Sequence, residues 1–296
     1  MKNSDVFKNR YGYYEAVNKP TNEELAAYYE KKYFQDGKGI YDECGMYEEE
    51  EKQYFLNKIE QKYLAAKKVA TESCKSWKNF LDIGTGEGWS LKFFSGRGWN
   101  CVGLDYSEYG CNACNPEQRK FLRTGDINKN LQTLFDNGDK FDLVLLDNVL
   151  EHVLDPLQLL KNIHKIVDDK GVFVVDVPND FSILQEYLFA NKKISKKYWI
   201  VQPDHLSYFN QEGLSALVKD AGWNVGSKMS DYPIDFNLVN SISNYIENPE
   251  VGKDCHKERV TIENIMHSIS PEKVNALYEA LADLGLGRGL MMFLTK

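Results

Sequence analysis

Four short stations in this chain carry residue types able to hold a small charged cofactor. The first is Asp82-Ile83-Gly84-Thr85-Gly86-Glu87-Gly88, a glycine turn between an apolar run and a helical stretch. Glycines there permit tight turns and let a ligand approach main-chain N–H groups with no Cβ in the way. The second is Asp105, followed by Tyr106 and placed 21 residues after Gly84, where a carboxylate can accept both hydroxyls of a ribose. The third, Gly125-Asp126-Ile127, offers a carboxylate that can accept a hydrogen bond from an exocyclic amine. The fourth is Asp147-Asn148-Val149. The glycine spacing puts Trp89 where a dinucleotide fingerprint needs its third glycine, which argues against NAD.

Two histidines stand near these stations. A hydroxyl under attack must lose its proton, and a neutral imidazole is the natural acceptor near pH 7. His152 follows the fourth station and His205 sits in Pro203-Asp204-His205, so both are candidate catalytic bases. The bland alternative is packing for His152 and loop pinning for His205. Asn179 and Asp180 follow a fifth apolar run and could hydrogen-bond a polyol, although Asp180 could equally cap the next helix. Ten of the 18 tyrosines lie in the first 63 residues. Among them Tyr28, Tyr29 and Tyr33, with Phe34, have the spacing of an aromatic lid, and aromatic faces attract cations and stack on sugars. Tyr29 and Tyr33 are the candidate acceptor contacts there. Cys111-Asn-Ala-Cys114 has metal spacing but lacks a second close pair, so structural zinc is not expected and free thiols are.

These residues must be positioned by regular elements. From about Asn79, short apolar runs alternate with helical stretches, the pattern of βαβ units and a parallel sheet. The expected strands are Phe80–Ile83, Cys101–Leu104, Lys120–Arg123, Phe141–Leu146, Val172–Val177 and Trp223–Ser230, with Leu290–Leu294 last. This predicts an α/β fold with a Rossmann-like, doubly wound, seven-stranded sheet, mostly parallel with the last strand antiparallel. Helices are expected near 48–68, from Pro156 and over Phe181–Asn191. The organisation reads as a helical N-terminal cap or lid over 1–76, a core over 77–230, a helical insertion over 231–288 covering the active site, and the last core strand over 289–296. In such sheets ligands bind beyond the carboxyl ends of the strands, where all four stations fall.

Taken together, the stations resemble the class I S-adenosylmethionine-dependent methyltransferases over about Phe80–Ser230. The resemblance implies that Asp82 and the loop Gly84, Thr85, Gly86 and Gly88 approach the methionine moiety of S-adenosylmethionine. It implies further that Asp105 with Tyr106 holds the ribose, Asp126 and Ile127 read the adenine, and Asp147, Asn148 and Val149 flank the sulfonium, with S-adenosylhomocysteine as product. The segments DNVLEHVLDP, VPND and PDHLSYF look like the small-molecule branch, nearest to enzymes that decorate sugars or surface-glycan precursors in bacteria. Some sugar methyltransferases hold magnesium with carboxylates and an asparagine. Asp147, Asn148 and Asp176 could imitate that set, but no third dedicated carboxylate is identifiable and no metal is expected.

Composition narrows the partners. With 36 basic and 44 acidic side chains the formal charge is −8, which gives no electrostatic footprint for a polyanion. Nucleic acid is therefore not an expected partner, and a phosphorylated sugar would need local cations such as Lys192, Lys193, Lys196 and Lys197. No apolar run reaches membrane-spanning length and MKNSDVFKNR has no signal-peptide core, so no membrane partner and a cytoplasmic location are expected. The resulting expectation is methylation of a hydroxyl on a small polar acceptor, a sugar or nucleotide sugar, by a monomer or homodimer. An amine acceptor, a quinone or natural-product acceptor, and a cofactor-sensing module without chemistry are the alternatives.

Overall fold

The computed structural model describes residues 6–21, 23–25, 28 and 47–296. Its first elements are two short strands, β1 (Val6–Lys8) and β2 (Tyr14–Ala16), paired antiparallel. This corrects the reading of residues 1–76 as helical throughout. The Asn9 side chain accepts from the N–H groups of Tyr11 and Gly12 at 3.0 and 3.1 Å, and Gly12 takes φ +97°. A side-chain-nucleated turn with a left-handed glycine makes a hairpin, not a helix. The lid residues Tyr29, Tyr33 and Phe34 lie outside the described residues.

Helix α1 (Glu49–Ala70) matches the helix expected near 48–68. Glu51 accepts from the Glu48 N–H at 3.3 Å, acids fill the first turn, and Lys67 and Lys68 the last, all in the sense the helix dipole favours. The chain then alternates β3 (Asn79–Ile83), α2 (Trp89–Ser95), β4 (Asn100–Asp105), α3 (Tyr109–Cys114), β5 (Leu122–Thr124), α4 (Ile127–Asp136), β6 (Phe141–Asp147), α5 (Pro156–Ile166) and β7 (Val167–Pro178). After α6 (Ile183–Ala190) come β8 (Ser207–Tyr208), α7 (Gln211–Asp220), β9 (Asn224–Ser230), α8 (Gly252–Ile269), α9 (Pro271–Asp283) and β10 (Gly289–Thr295). Strand β5 is shorter than expected because Pro116–Phe121 winds into a 3-10 helix.

The main sheet runs β5-β4-β3-β6-β7-β10-β9, parallel from β5 to β7, with β10 antiparallel to both neighbours. The seven-stranded, doubly wound fold and its antiparallel last strand are thus as expected. The order reverses between β3 and β6, and the loops leaving these two strands carry the glycine turn and Asp147-Asn148-Val149. Side chains alternate strictly across the central strands. Leu143, Leu145, Val172, Val174, Met291 and Phe293 join one buried layer under α1, α2 and α9, while Val144, Leu146, Phe173, Val175, Leu290 and Met292 join the other under α4, α5 and α7. Apolar residues on both faces are what a central strand covered by helices requires.

A second, three-stranded sheet, β1-β2-β8, fastens the N-terminal hairpin to the segment after His205. The Ala16 N–H donates to Leu206 O at 2.9 Å, and the Leu206 N–H donates to Glu151 O at 2.8 Å. The insertion helices α8 and α9 pack beside α1, with Asn57 donating to Asn264 at 2.9 Å and Asn275 to the Gln61 carbonyl at 2.9 Å. Among the described residues no helix is long and apolar enough to cross a membrane. Cys74, Cys101, Cys111 and Cys255 are free thiols, whereas Cys114 is disulfide-bonded, which departs from the expectation of free thiols alone.

Gly103 in β4 lets the glycine turn lie against the sheet, since a Cβ there would stand 2.6 Å from Thr85 Oγ1 and 2.9 Å from Leu91 Cδ1. Gly103→Ala is expected to destabilise the fold by about 1–3 kcal/mol, the usual overpacking cost, read by urea denaturation. An unchanged midpoint would show that the turn has room to retreat.

Candidate active site

The turn after β3 is shaped by three glycines with left-handed backbones, Gly84 (φ +81°), Gly86 (φ +53°) and Gly88 (φ +82°). Gly84 is the most constrained. A Cβ there would come within 2.1 Å of Val149 Cγ2, so the loop from β6 crosses directly over it. Asp105, at the end of β4, holds the turn from the other side. Its two oxygens accept from the Gly86 N–H at 2.8 Å and the Ser107 N–H at 3.0 Å. Burial raises the Asp105 carboxyl above its ordinary value although these backbone donors pull it down. Asp82 is buried, and burial together with the nearby Asp147 and Asp105 carboxylates pushes its carboxyl well up.

Gly84, Asp105, Tyr106, Asp126, Ile127, Asn148, Val149 and His152 line one cavity of about 240 Å³, which Leu25 also borders. Asp126 caps α4 by accepting from the Lys129 N–H at 2.8 Å while facing this cavity. Thr85, Gly86 and Gly88 form the turn behind it. Asp147 points elsewhere. With Asp176 it grips the ammonium of Lys62, whose Nζ lies 2.9 Å from Asp176 Oδ2 and makes an ion pair with Asp147 Oδ2. Asn148, at φ +52°, donates its side-chain amide to Asp147 Oδ1 at 2.8 Å and its N–H to Asp176 O at 2.9 Å. The place between Asp147 and Asp176 that a cation could occupy is therefore filled by this chain's own lysine.

Burial alone would lower the Lys62 ammonium, but the two carboxylates outweigh it and hold the ammonium above its ordinary value. Burial likewise raises Asp176 to about 6 against the pull of Lys62. Lys62, Asp147, Asn148 and Asp176 open on a second recess of about 430 Å³, shared with Tyr54, Lys58, Asp231, Arg259 and Arg288. Here Arg259 pairs with Asp231 at 3.0 Å and Glu263 at 2.9 Å, and Lys58 reaches Glu263 at 3.1 Å. Sequence reasoning missed these cations because they come from the N-terminal helix and the insertion. Lys62 did leave a signal, a charge in register with Ile59 and Ala66 on the buried face of α1.

Asn179 and Asp180 do not border either space. Asn179 donates to Gly287 O at 3.2 Å, and Asp180 pairs with Arg288 at 3.1 Å while Ser182 caps α6. Burial lifts Asp180 to about 6 despite Arg288. Asp180 thus holds the Arg288 guanidinium, and Asn179 holds the backbone just before it. His152 and His205 do come together, their rings 4.8 Å apart at 81°. His152 Nδ1 lies 2.8 Å from the Asp204 carbonyl, which can only accept, so Nδ1 carries a proton, and in the neutral ring the lone pair is on Nε2.

A family model described as a methyltransferase domain matches residues 55–228. The uncharacterized protein MJ0638 of Methanocaldococcus jannaschii is 34% identical over 120 residues, 40% of this chain and 50% of that protein. The chain thus spans about half the length of this curated relative. Among solved structures, a SAM-dependent methyltransferase from Archaeoglobus fulgidus aligns over 91% of this chain and 99% of its own at 17% identity and TM-score 0.49. An S-adenosylmethionine-dependent methyltransferase from Clostridium acetobutylicum aligns over 70% and 90% at 13% identity and TM-score 0.40.

Lys62→Met removes the only charge compensation that Asp147 and Asp176 share from α1. Leaving the largely buried Asp176 carboxylate uncompensated is expected to cost about 3 kcal/mol at pH 8 in chemical denaturation, the half-exposed Asp147 adding little. A carboxyl whose folded value is raised is favoured in the folded state at low pH, so the loss should shrink at pH 5, where Asp176 takes up a proton. Equal losses at the two pH values would contradict this account of the ion triad.

Proposed function

Because the chain belongs to the methyltransferase-domain family, we propose that it transfers the methyl group of S-adenosylmethionine to a hydroxyl oxygen of a small polyhydroxylated acceptor, such as a sugar or nucleotide sugar. The observation that carries this reading is the single cavity at the reversal of strand order, where Gly84, Asp105, Asp126, Asn148 and His152 converge from four different loops. In this reading Asp105 accepts the ribose hydroxyls with the lone pairs that Gly86 and Ser107 leave open. Tyr106 and Ile127 face the adenine, Asp126 accepts from its exocyclic amine, and Asp82 with the turn at Gly84–Gly88 receives the methionine end. Asn148 and Val149 flank the sulfonium.

Methyl transfer from sulfur is an in-line displacement, so positioning and exclusion of water supply most of the catalysis. The acceptor lies in the recess beside Asn148, the residue both spaces share. Its lining alternates donors (Lys62, Arg259, Arg288) with acceptors (Asp147, Asp176, Asp231), which suits a ligand carrying many hydroxyls. The hydroxyl proton leaves toward the pair His152 and His205. Leu25 borders the cavity, so the N-terminal segment reaches the site. The insertion over 231–288 supplies Arg259 and thereby part of the acceptor wall.

Purified protein titrated with S-adenosylhomocysteine should show saturable calorimetric binding and a raised melting midpoint. Asp105→Ala should lose at least about tenfold in affinity, as deletion of a charged hydrogen-bonding partner does. Normal binding by that variant would remove the ribose assignment, and a shift with NAD in place of S-adenosylhomocysteine would overturn the reading as a whole.

A further inference from the structure

One cluster beside the cofactor cavity is not explained by proton transfer alone. Glu151, in the 3-10 turn after β6, is 1% exposed, and its Oε2 has no hydrogen-bond partner among the described residues. A buried carboxylate oxygen left unmatched costs free energy, so it points to something the fold is built to receive. Glu151 Oε1 lies 3.7 Å from His152 Nε2. One ligand atom from each of Glu151, His152 and His205 falls within 4.8 Å of the other two.

We propose that Glu151, His152 and His205 form a binding site for one divalent first-row transition-metal cation at the edge of the cofactor cavity. Two imidazoles and a carboxylate are a donor set that suits such cations and leaves coordination positions open on one side. The surroundings have the form that metal-ligating histidines require. His152 donates its Nδ1–H to the Asp204 carbonyl at 2.8 Å, which fixes the ring with Nε2 on the side of Glu151. The Asp204 carboxylate stands 3.8 Å from the same ring and adds negative charge behind it. The backbone holds the two halves in register, because Leu206 N–H donates to Glu151 O at 2.8 Å. Ligands bonded at about 2.1 Å stand ~3–4 Å from one another, so modest side-chain rotation closes the set.

The site rests on this geometry, and its role rests on the methyltransferase reading, which it deepens. His152 also lines the cofactor cavity, so the open side of the cation faces the place where methyl transfer would occur. With the cation bound, the two imidazoles serve as ligands in place of bases, and an acceptor hydroxyl on the cation becomes more acidic and releases its proton to solvent. The resulting oxygen lone pair forms the O–CH3 bond as the C–S bond breaks, and the sulfur leaves as neutral S-adenosylhomocysteine. The acceptor class is then one with two adjacent hydroxyls, able to fill two open positions together.

The full chain, stripped with a chelator and dialysed, is titrated with Co2+ and with Mn2+ by calorimetry, with visible absorption read for Co2+ and S-adenosylhomocysteine titrated in parallel. One equivalent of cation should bind, and Glu151→Gln and His205→Ala should each weaken it by more than about tenfold while binding S-adenosylhomocysteine as the parent does. Wild-type protein that binds S-adenosylhomocysteine but takes up no stoichiometric cation overturns the site. So do variants that bind the cation like the parent. Should His205→Ala not fold, His205→Asn gives the same reading. Failure to bind S-adenosylhomocysteine would instead strike the methyltransferase reading, with the cation titration still deciding the cluster.

Discussion

The ammonium of Lys62 between Asp147 and Asp176 is the contact on which the site depends. It is made by a helix outside the βαβ core and received at the carboxyl ends of two central strands, β6 and β7. Lys62 and Asp176 are taken out of water together, which is tolerable because each finds an opposite charge within bonding distance, with the more exposed Asp147 closing the triad. The arrangement fixes the height of α1 over the sheet. It also orients Asn148, whose amide is held by Asp147 and whose backbone is held by Asp176. Asn148 is the wall between the cofactor cavity and the polar recess. A long-range ion triad thus sets the partition between the two spaces.

Much of this was legible in the sequence because parallel sheets write a strong signal. Phe141–Asp147 and the apolar stretch within Val167–Pro178 are almost unbroken hydrophobics, and the alternation of such runs with helical stretches leaves few other folds. The glycine turn, Asp105 and Asp126 could be found because each follows a strand directly, so strand ends gave their positions in space. The hairpin at Val6–Ala16 was not legible. Its strands are three residues each, too short for a period to register, and its register depends on Tyr208, which is remote in sequence.

Charged residues that act at long range were the other blind spot. Arg259 meets Asp231 across 28 residues and Arg288 meets Asp180 across 108, and nothing in local spacing announces either pair. Asn179 and Asp180 show the converse error. They stand after a strand, as binding residues do, yet face inward and hold other groups in place. The histidine pair was found for one chemistry and acquires a second meaning only through Glu151, whose burial was invisible until the 3-10 turn after β6 set its direction.

The place of β10 has a consequence for how the protein is made. Gly289–Thr295 lies between β7 and β9, so the strand synthesised after both of them is the one that joins them. While a ribosome is still extending the chain, β7 offers an open hydrogen-bonding edge and β9 has no neighbour in the sheet. Exposed edges of this kind recruit other strands. The parallel half, β5 to β7, has no such dependence and can assemble around the glycine turn early. Closure of that flank of the sheet therefore waits for the last strand, which brings Leu290, Met292 and Leu294 into the core.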